Sequence, residues 1–209
     1  TRLAIESFDV SIWESTRLAV ERIIATHGLP DLVINCAGFA HPGWLEEIEL
    51  EPMEQMMRVN YFGTMHVCKA FLPHFVKRGS GYFVNTSSLG GVIGLFGYTG
   101  YCASKFAVAG FSEALRREVA PYGIFVTLLC PPNTRTPGLE RENLVKPPEV
   151  LAQEETIATV SPEFVARRLL QELPRRRAMV IPTLDGTVVS MASRWFPWLV
   201  DRVLARPKP

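Results

Sequence analysis

Short apolar runs rich in β-branched residues alternate along this chain with longer stretches whose apolar positions recur every three or four residues. The first kind reads as strand and the second as amphipathic helix. LAIESFDV predicts a strand ending at Asp9, and SIWESTRLAVERIIATHG a helix with Ser11 as its N-cap and Gly28 as its stop. LPDLVINCAG predicts the next strand, apolar across LVI and ending at Gly38. A helix from about Pro52 to Val76 follows, then the strand GYFVNTSS, a Gly-rich loop and a helix from about Tyr101 to Tyr122. IFVTLLCPP and AMVIPT, near Val180, are the last strand candidates. Unbroken apolar strands spaced by helices imply a parallel sheet buried on both faces, so the predicted class is α/β with a doubly wound parallel sheet. Ligands of such sheets bind beyond the carboxyl ends of the strands. Asp9, Asn35 to Gly38, Ser87 with Ser88, and Pro131 to Thr136 each end a predicted strand. That rim is where chemistry is expected.

Composition narrows the picture. The 209 residues suffice for one domain with a sizeable core, residues 1–209. With 22 Lys and Arg against 21 Asp and Glu, the formal charge is +1, and no charge excess calls for a nucleic-acid partner. No apolar run approaches the length of a spanning helix, and the first residues lack a signal peptide's apolar core. The chain opens without Met, directly into a strand-like stretch, so a piece of a longer chain is expected. Cys36, Cys68, Cys102 and Cys130 form no CxxC pair and sit in apolar runs. They are expected to be free, buried and reduced, pointing to the cytoplasm, and no metal site is expected.

The strongest chemical signal is YCASK. Tyr101 and Lys105, at i and i+4, share one face of the predicted helix. A nearby ammonium is expected to pull the phenol below its usual ~10 and poise it for proton exchange at a carbonyl or carbinol oxygen. Ser88, thirteen residues upstream, ends a strand and can hydrogen-bond that same oxygen. NCAG places Asn35 and a small Ala-Gly turn at another strand end, where backbone can approach a ligand closely. Asn60 is a polar residue inside an apolar helix, open to reading as a satisfied core amide or a kink.

FDV, NCAG, the mid-helix Asn, SS before a Gly-rich loop, YCASK and a Pro-rich turn ending in Thr come in one order and spacing. In these the chain resembles the short-chain dehydrogenase/reductase superfamily over nearly its whole length. The resemblance implies a Rossmann-like fold with Tyr101 as general acid/base. It makes Lys105 the residue that lowers the phenol pKa and binds the nicotinamide ribose, with Ser88 orienting the substrate carbonyl. Asn60 would hold a water linking Lys105 to solvent. It further implies that Asp9 contacts adenine and that Asn35, Ala37 and Gly38 contact the adenosine ribose. Pro131, Thr134 and Thr136 would meet the carboxamide of NADPH, with NADH not excluded. A narrower resemblance, carried by GLFGYTGYCASKFAVAGFSEAL, PPNTRTPGLERENLVKPPE and Thr156, is to the 3-ketodihydrosphingosine reductases. It implies NADPH-dependent reduction of the 3-keto group of a sphingoid base, with residues 132–160 as a lid. A homodimer or homotetramer pairing through the helices near 52–76 and 101–121 is also implied.

The pattern departs from the superfamily at its start. The run TG-x-x-x-G-x-G that should follow a first strand is absent, since GVIGLFG lies after the serine strand. FDV matches the family's third strand, so the N-terminal strands and their phosphate loop are expected to be missing, and these residues alone are not expected to turn over. In the C-terminal segment, residues 190–209, Trp195, Phe196, Trp198, Leu199, Val203 and Leu204 interleave with Arg194, Arg202, Arg206 and Lys208. That suits a helix at a membrane surface or one packed on the core or a neighbouring subunit. Two other functions stay open: a reductase or dehydrogenase of another hydrophobic ketone or alcohol, such as a steroid or acyl chain, and a non-catalytic scaffold.

Overall fold

The computed structural model describes residues 3–155 and 157–205, so Thr156, Arg206 and Lys208 lie outside the described residues. Four parallel strands, β1 (Leu32–Asn35), β2 (Gly81–Thr86), β3 (Ile124–Leu129) and β4 (Met179–Val180), form a sheet in the order β1-β2-β3-β4. Parallel neighbours need crossover helices, and the chain supplies them. Helix α1 (Trp13–His27) precedes β1, and between β1 and β2 runs α2 (Leu50–Met56), a π-helical turn (Met57–Gly63) and α3 (Thr64–Arg78). Helix α4 (Thr99–Val119) joins β2 to β3. After β3 come α5 (Pro137–Asn143), α6 (Pro148–Glu155) and α7 (Pro162–Glu172), and beyond β4 α8 (Leu184–Trp195) and α9 (Pro197–Leu204). No helix among the described residues is long and apolar enough to cross a membrane.

Helices cover both faces of the sheet. On one face Val33, Phe83, Ile124 and Val126 pack with Val67, Phe71 and Phe75 of α3 and Leu115 and Val119 of α4. On the other, Val84, Leu129 and Val180 meet Val165 and Leu169 of α7. Side chains alternate between these faces because successive Cβ atoms of a strand point opposite ways. Asn35 and Asn85 sit opposite each other in register, and Asn35 Nδ2 donates to Asn85 Oδ1 at 2.8 Å. Asn85 Nδ2 in turn donates to Ser112 Oγ at 2.9 Å, so a fully bonded polar chain stitches β1 to β2 and β2 to α4 inside the core.

Three expectations need correction. Residues 3–8 form no strand: they find no ladder partner among the described residues, and Leu3 and Ile5 are 88% and 86% exposed. Only Phe8 and Val10 turn inward onto the α1–α3 core. The N-cap of α1 is Ile12, not Ser11, because Ser11 gives both its backbone N–H and its hydroxyl to the Asp9 carboxylate at 2.8 and 2.7 Å. Cys36 is exposed rather than buried, since β1 ends beside it at the sheet's edge; Cys68, Cys102 and Cys130 are buried and free.

Phe75 is fully buried, its ring 5.0 Å from Phe83 and 6.1 Å from Phe71, and it fills the space that a side chain at Gly81 would need. Phe75→Ala is expected to cost about 3–5 kcal/mol, because β2 and α3 cannot both collapse into the void. Urea denaturation checks this; a loss under 1 kcal/mol would mean the ring is not a keystone.

Candidate active site

The site forms where β2 ends and α4 begins. Past Thr86 the chain continues the ladder one residue further, Ser87 N donating to Leu129 O at 2.7 Å, and then leaves the sheet. Ser87 Oγ donates to the Lys105 carbonyl at 2.9 Å, fastening the strand end to α4. This approach is possible only because residue 91 is glycine: a Cβ there would lie 2.0 Å from Ser87 Oγ and 2.8 Å from the Lys105 carbonyl oxygen. Ser88 caps the short turn that follows, its hydroxyl accepting from Gly90 N at 3.1 Å, and the same side chain hydrogen-bonds the Tyr101 phenol. Leu89 N donates to Pro131 O at 3.0 Å and so ties the serine turn to the Pro-rich loop after β3.

Tyr101 and Lys105 stand one turn apart on α4, as their spacing predicts, and with Ser88 they line a cavity of about 470 Å³ at the carboxyl ends of β1, β2 and β3. Gly38, Pro131, Thr134 and Thr136 line it too. Gly38 must lack a side chain, because a Cβ would fall 2.8 Å from Asn60 Oδ1 and 3.2 Å from Lys105 Nζ. Both threonine hydroxyls are engaged locally: Thr134 Oγ1 donates to Pro132 O at 2.8 Å, and Thr136 Oγ1 caps α5 by accepting from Leu139 N at 3.2 Å.

Four of the residues singled out in the sequence do not line the cavity. Asp9 is exposed and organises the start of α1. The Asn35 side chain is spent inside the core on Asn85, and Ala37 is exposed beyond β1. Asn60 lies beneath the cavity, in the π-helical turn that bridges α2 and α3. Its Oδ1 accepts from Phe39 N at 3.0 Å while its Nδ2 donates to Phe39 O and to Ser104 Oγ, both at 2.9 Å. A widened turn aims this amide at the loop after β1, and the amide pins that loop against α4.

The electrostatics also correct an expectation. Burial raises the Tyr101 phenol well above its ordinary value, the Glu142 charge adds to the rise, and the Ser88 hydrogen bond pulls the other way. Any pull from Lys105 is outweighed by that burial, and the lysine is itself buried and gives its ammonium to the Thr86 carbonyl at 3.1 Å. Burial is also the main reason that Lys105 is lowered to about 8, with Cys36, Cys130 and Glu142 opposing.

Sequence reasoning missed the acidic side of the cavity. Glu142, on α5, and Glu154, on α6, line it together with the α4 residues. Glu154 accepts from the buried Tyr98 hydroxyl at 2.6 Å and from Lys146, whose side chain is fully buried and also donates to Asn143 Oδ1 at 2.7 Å. The one hint in the sequence was a lysine set among apolar and Pro residues in LVKPP; the eight-residue step from Lys146 to Glu154 carries no local periodicity.

The chain matches known proteins in keeping with this geometry. The family model of the short chain dehydrogenases matches residues 1–145. A mouse 3-ketodihydrosphingosine reductase is 42% identical over 145 residues, which is 69% of this chain and 44% of that protein. The chain thus spans under half the length of that relative. A short chain dehydrogenase of Burkholderia cenocepacia, solved with NADP, superposes with a TM-score of 0.81 at 23% identity, covering 96% of this chain and 78% of the other. A gluconate 5-dehydrogenase from the same species, solved with NADP and tartrate, is 29% identical with a TM-score of 0.60, covering 62% and 51%.

Between about pH 8 and the ordinary lysine value of ~10.4, an unfolded chain holds a proton on residue 105 that the folded chain has released, so stability contributed here rises with pH through that window. Lys105→Met is therefore expected to stabilise the fold at pH 7 by about 2 kcal/mol and to lose that advantage by about pH 10. Urea denaturation of both proteins at the two pH values checks the sign; a pH-independent difference would contradict it.

Proposed function

The chain belongs to the short-chain dehydrogenase family, and from that premise we propose that it carries the catalytic face of an NADPH-dependent reductase of 3-ketosphinganine. The observation that carries this reading is the convergence of Ser88, Tyr101 and Lys105 on one cavity at the carboxyl ends of the parallel strands. The substrate class is supported by the identity to the mouse 3-ketodihydrosphingosine reductase, and the cofactor by the NADP held in the gluconate 5-dehydrogenase. The residues present fit the nicotinamide-ribose end of the cofactor. A buried ammonium at Lys105 offers donors to ribose hydroxyls, and Gly38 leaves room for close approach.

When bound, NADPH supplies the hydride that reaches the ketone carbon. The protein's own task is to hold the carbonyl and deliver a proton. Ser88 hydrogen-bonds the carbonyl oxygen and Tyr101 gives its phenolic proton to that oxygen as the C=O π bond opens. A phenol kept protonated by burial is suited to donation, since an incipient alkoxide is the stronger base. Lys105 then stabilises the phenolate until it is reprotonated, and Asn60 acts by fixing the loop over the lysine rather than by touching the reacting atoms. Residues 132–160, which carry α5 and α6, act as the lid.

In a chain that also carries the family's N-terminal strands and phosphate loop, Tyr101→Phe is expected to retain cofactor affinity while turnover falls 10²- to 10⁴-fold. Stopped-flow NADPH oxidation, with cofactor binding measured by fluorescence titration, checks both halves; unimpaired turnover would remove the mechanism.

The C-terminal helices support peripheral association with a membrane. Leu184, Val188, Met191 and Trp195 of α8 and Trp198 and Val203 of α9 are exposed together with Arg194 and Arg202. Co-sedimentation with anionic phospholipid vesicles is expected to drop several-fold in a Trp195→Ser, Trp198→Ser double variant. Sedimentation equal to that of the parent would exclude this surface.

A further inference from the structure

Glu142 sits where a carboxylate is not needed for hydride or proton transfer. It lies in the last turn of α5 and lines the same cavity as Ser88, Tyr101 and Lys105. Its charge is felt at both Tyr101 and Lys105 across that shared cavity. The other acid of the cavity, Glu154, is saturated: Tyr98 donates to one oxygen and Lys146 to the other. Lys146 is likewise used up, by Glu154 and Asn143. No ion pair or side-chain hydrogen bond closes on the Glu142 carboxylate among the described residues. A half-buried acid facing an apolar-walled cavity without a partner is costly, unless the cavity's occupant supplies the cation.

The proposed substrate supplies one. A 3-keto sphingoid base carries a primary amine on the carbon next to the carbonyl, protonated near neutral pH. A steroid or an acyl ketone has no cation at that place. Resting on the reductase reading above, we propose that Glu142 pairs with the ammonium on the carbon beside the substrate's ketone, which makes it the residue that selects amino ketones over uncharged lipid ketones. The Tyr98–Glu154–Lys146–Asn143 cluster holds α5 and α6 together and thereby sets the height of Glu142 over the cavity. Burial, chiefly, and the neighbouring Glu154 charge raise the Glu142 carboxyl to about 7, against the pull of Lys146 and Lys105. An arriving ammonium would bring it back to the charged form, so the site resists ionisation until the right occupant enters.

The test compares two ketones of equal, shortened chain length with the NADPH-loaded protein: the amino ketone, and the same 1-hydroxy-3-ketone with hydrogen in place of the amine. The readout is the ratio of kcat/KM for the amino ketone to that for its deaminated partner. A ratio cancels any influence of Glu142 on Tyr101 and Lys105, which acts on both substrates alike. Glu142→Gln is expected to lower it about tenfold to a hundredfold, chiefly through KM for the amino ketone, with Glu142→Asp recovering part of the loss. Calorimetric binding of the short-chain amino alcohol product should weaken by a similar factor, and thermal melts should match the parent. A wild-type protein that reduces both ketones, with a ratio unmoved by Glu142→Gln, would overturn the amine pairing and leave the reductase reading standing. If neither ketone is reduced but amine binding still depends on Glu142, the pairing stands and the reductase reading falls.

Discussion

Ser87 gives its hydroxyl to the Lys105 carbonyl at 2.9 Å, across a gap that Gly91 keeps open, and through that contact the end of a strand decides where a helix stands. Everything polar in the cavity is measured from this joint. Ser88 follows Ser87 and is turned toward Tyr101; Lys105 hangs from the carbonyl's own residue and reaches back to Thr86. The Pro131 carbonyl fixes Leu89, one residue further on. A site assembled from a strand end, a helix and a loop would ordinarily drift with each of them. Here the strand end is bonded backbone to backbone to the loop, and the Ser87 hydroxyl ties it to a backbone carbonyl of the helix, so the side chains inherit the precision of the main chain.

Much of this was legible in the chain. Periodicity gave the parallel class because strands covered on both faces read as nearly continuous apolar runs, as LVI and IFVTLL do, the latter broken only by Thr127. The spacing of Tyr101 and Lys105 survives in the structure because a helix repeats at 3.6 residues whatever surrounds it. What was not legible depends on partners distant in sequence. LAIESFDV has strand composition, yet a strand exists only in a ladder, and among the described residues none accepts it. Asn35 looked like a ligand group at a rim, but its side chain is committed to Asn85, fifty residues away. The effect of Lys105 on the Tyr101 phenol was misjudged for a related reason. Proximity was readable, whereas the burial that dominates both groups is a property of the folded cavity.

The cavity has two chemically distinct walls. One is the α4 wall, where a phenol and an amine are made reluctant to ionise by burial. The other is formed by α5 and α6, where two carboxylates and a lysine lie within one short segment. Only the first wall follows from the family's motif. The second depends on how the turn between α5 and α6 folds back and on Tyr98, fifty-six residues before Glu154, so it carries no periodic signal in the sequence.

The π-helical turn through Asn60 has a consequence for how this segment can change over time. One surplus residue in that turn sets the rotational phase between α2 and α3, and each residue of an α-helix turns the chain by about 100°. Removing or adding a single position between Leu50 and Arg78 would swing Asn60 away from Phe39 or swing Phe71 and Phe75 out of the core. Substitution can explore this stretch freely on its outer face, but its length is locked. Among descendants of this sequence, insertions and deletions should accumulate in the loops at either end and leave these twenty-nine positions in register.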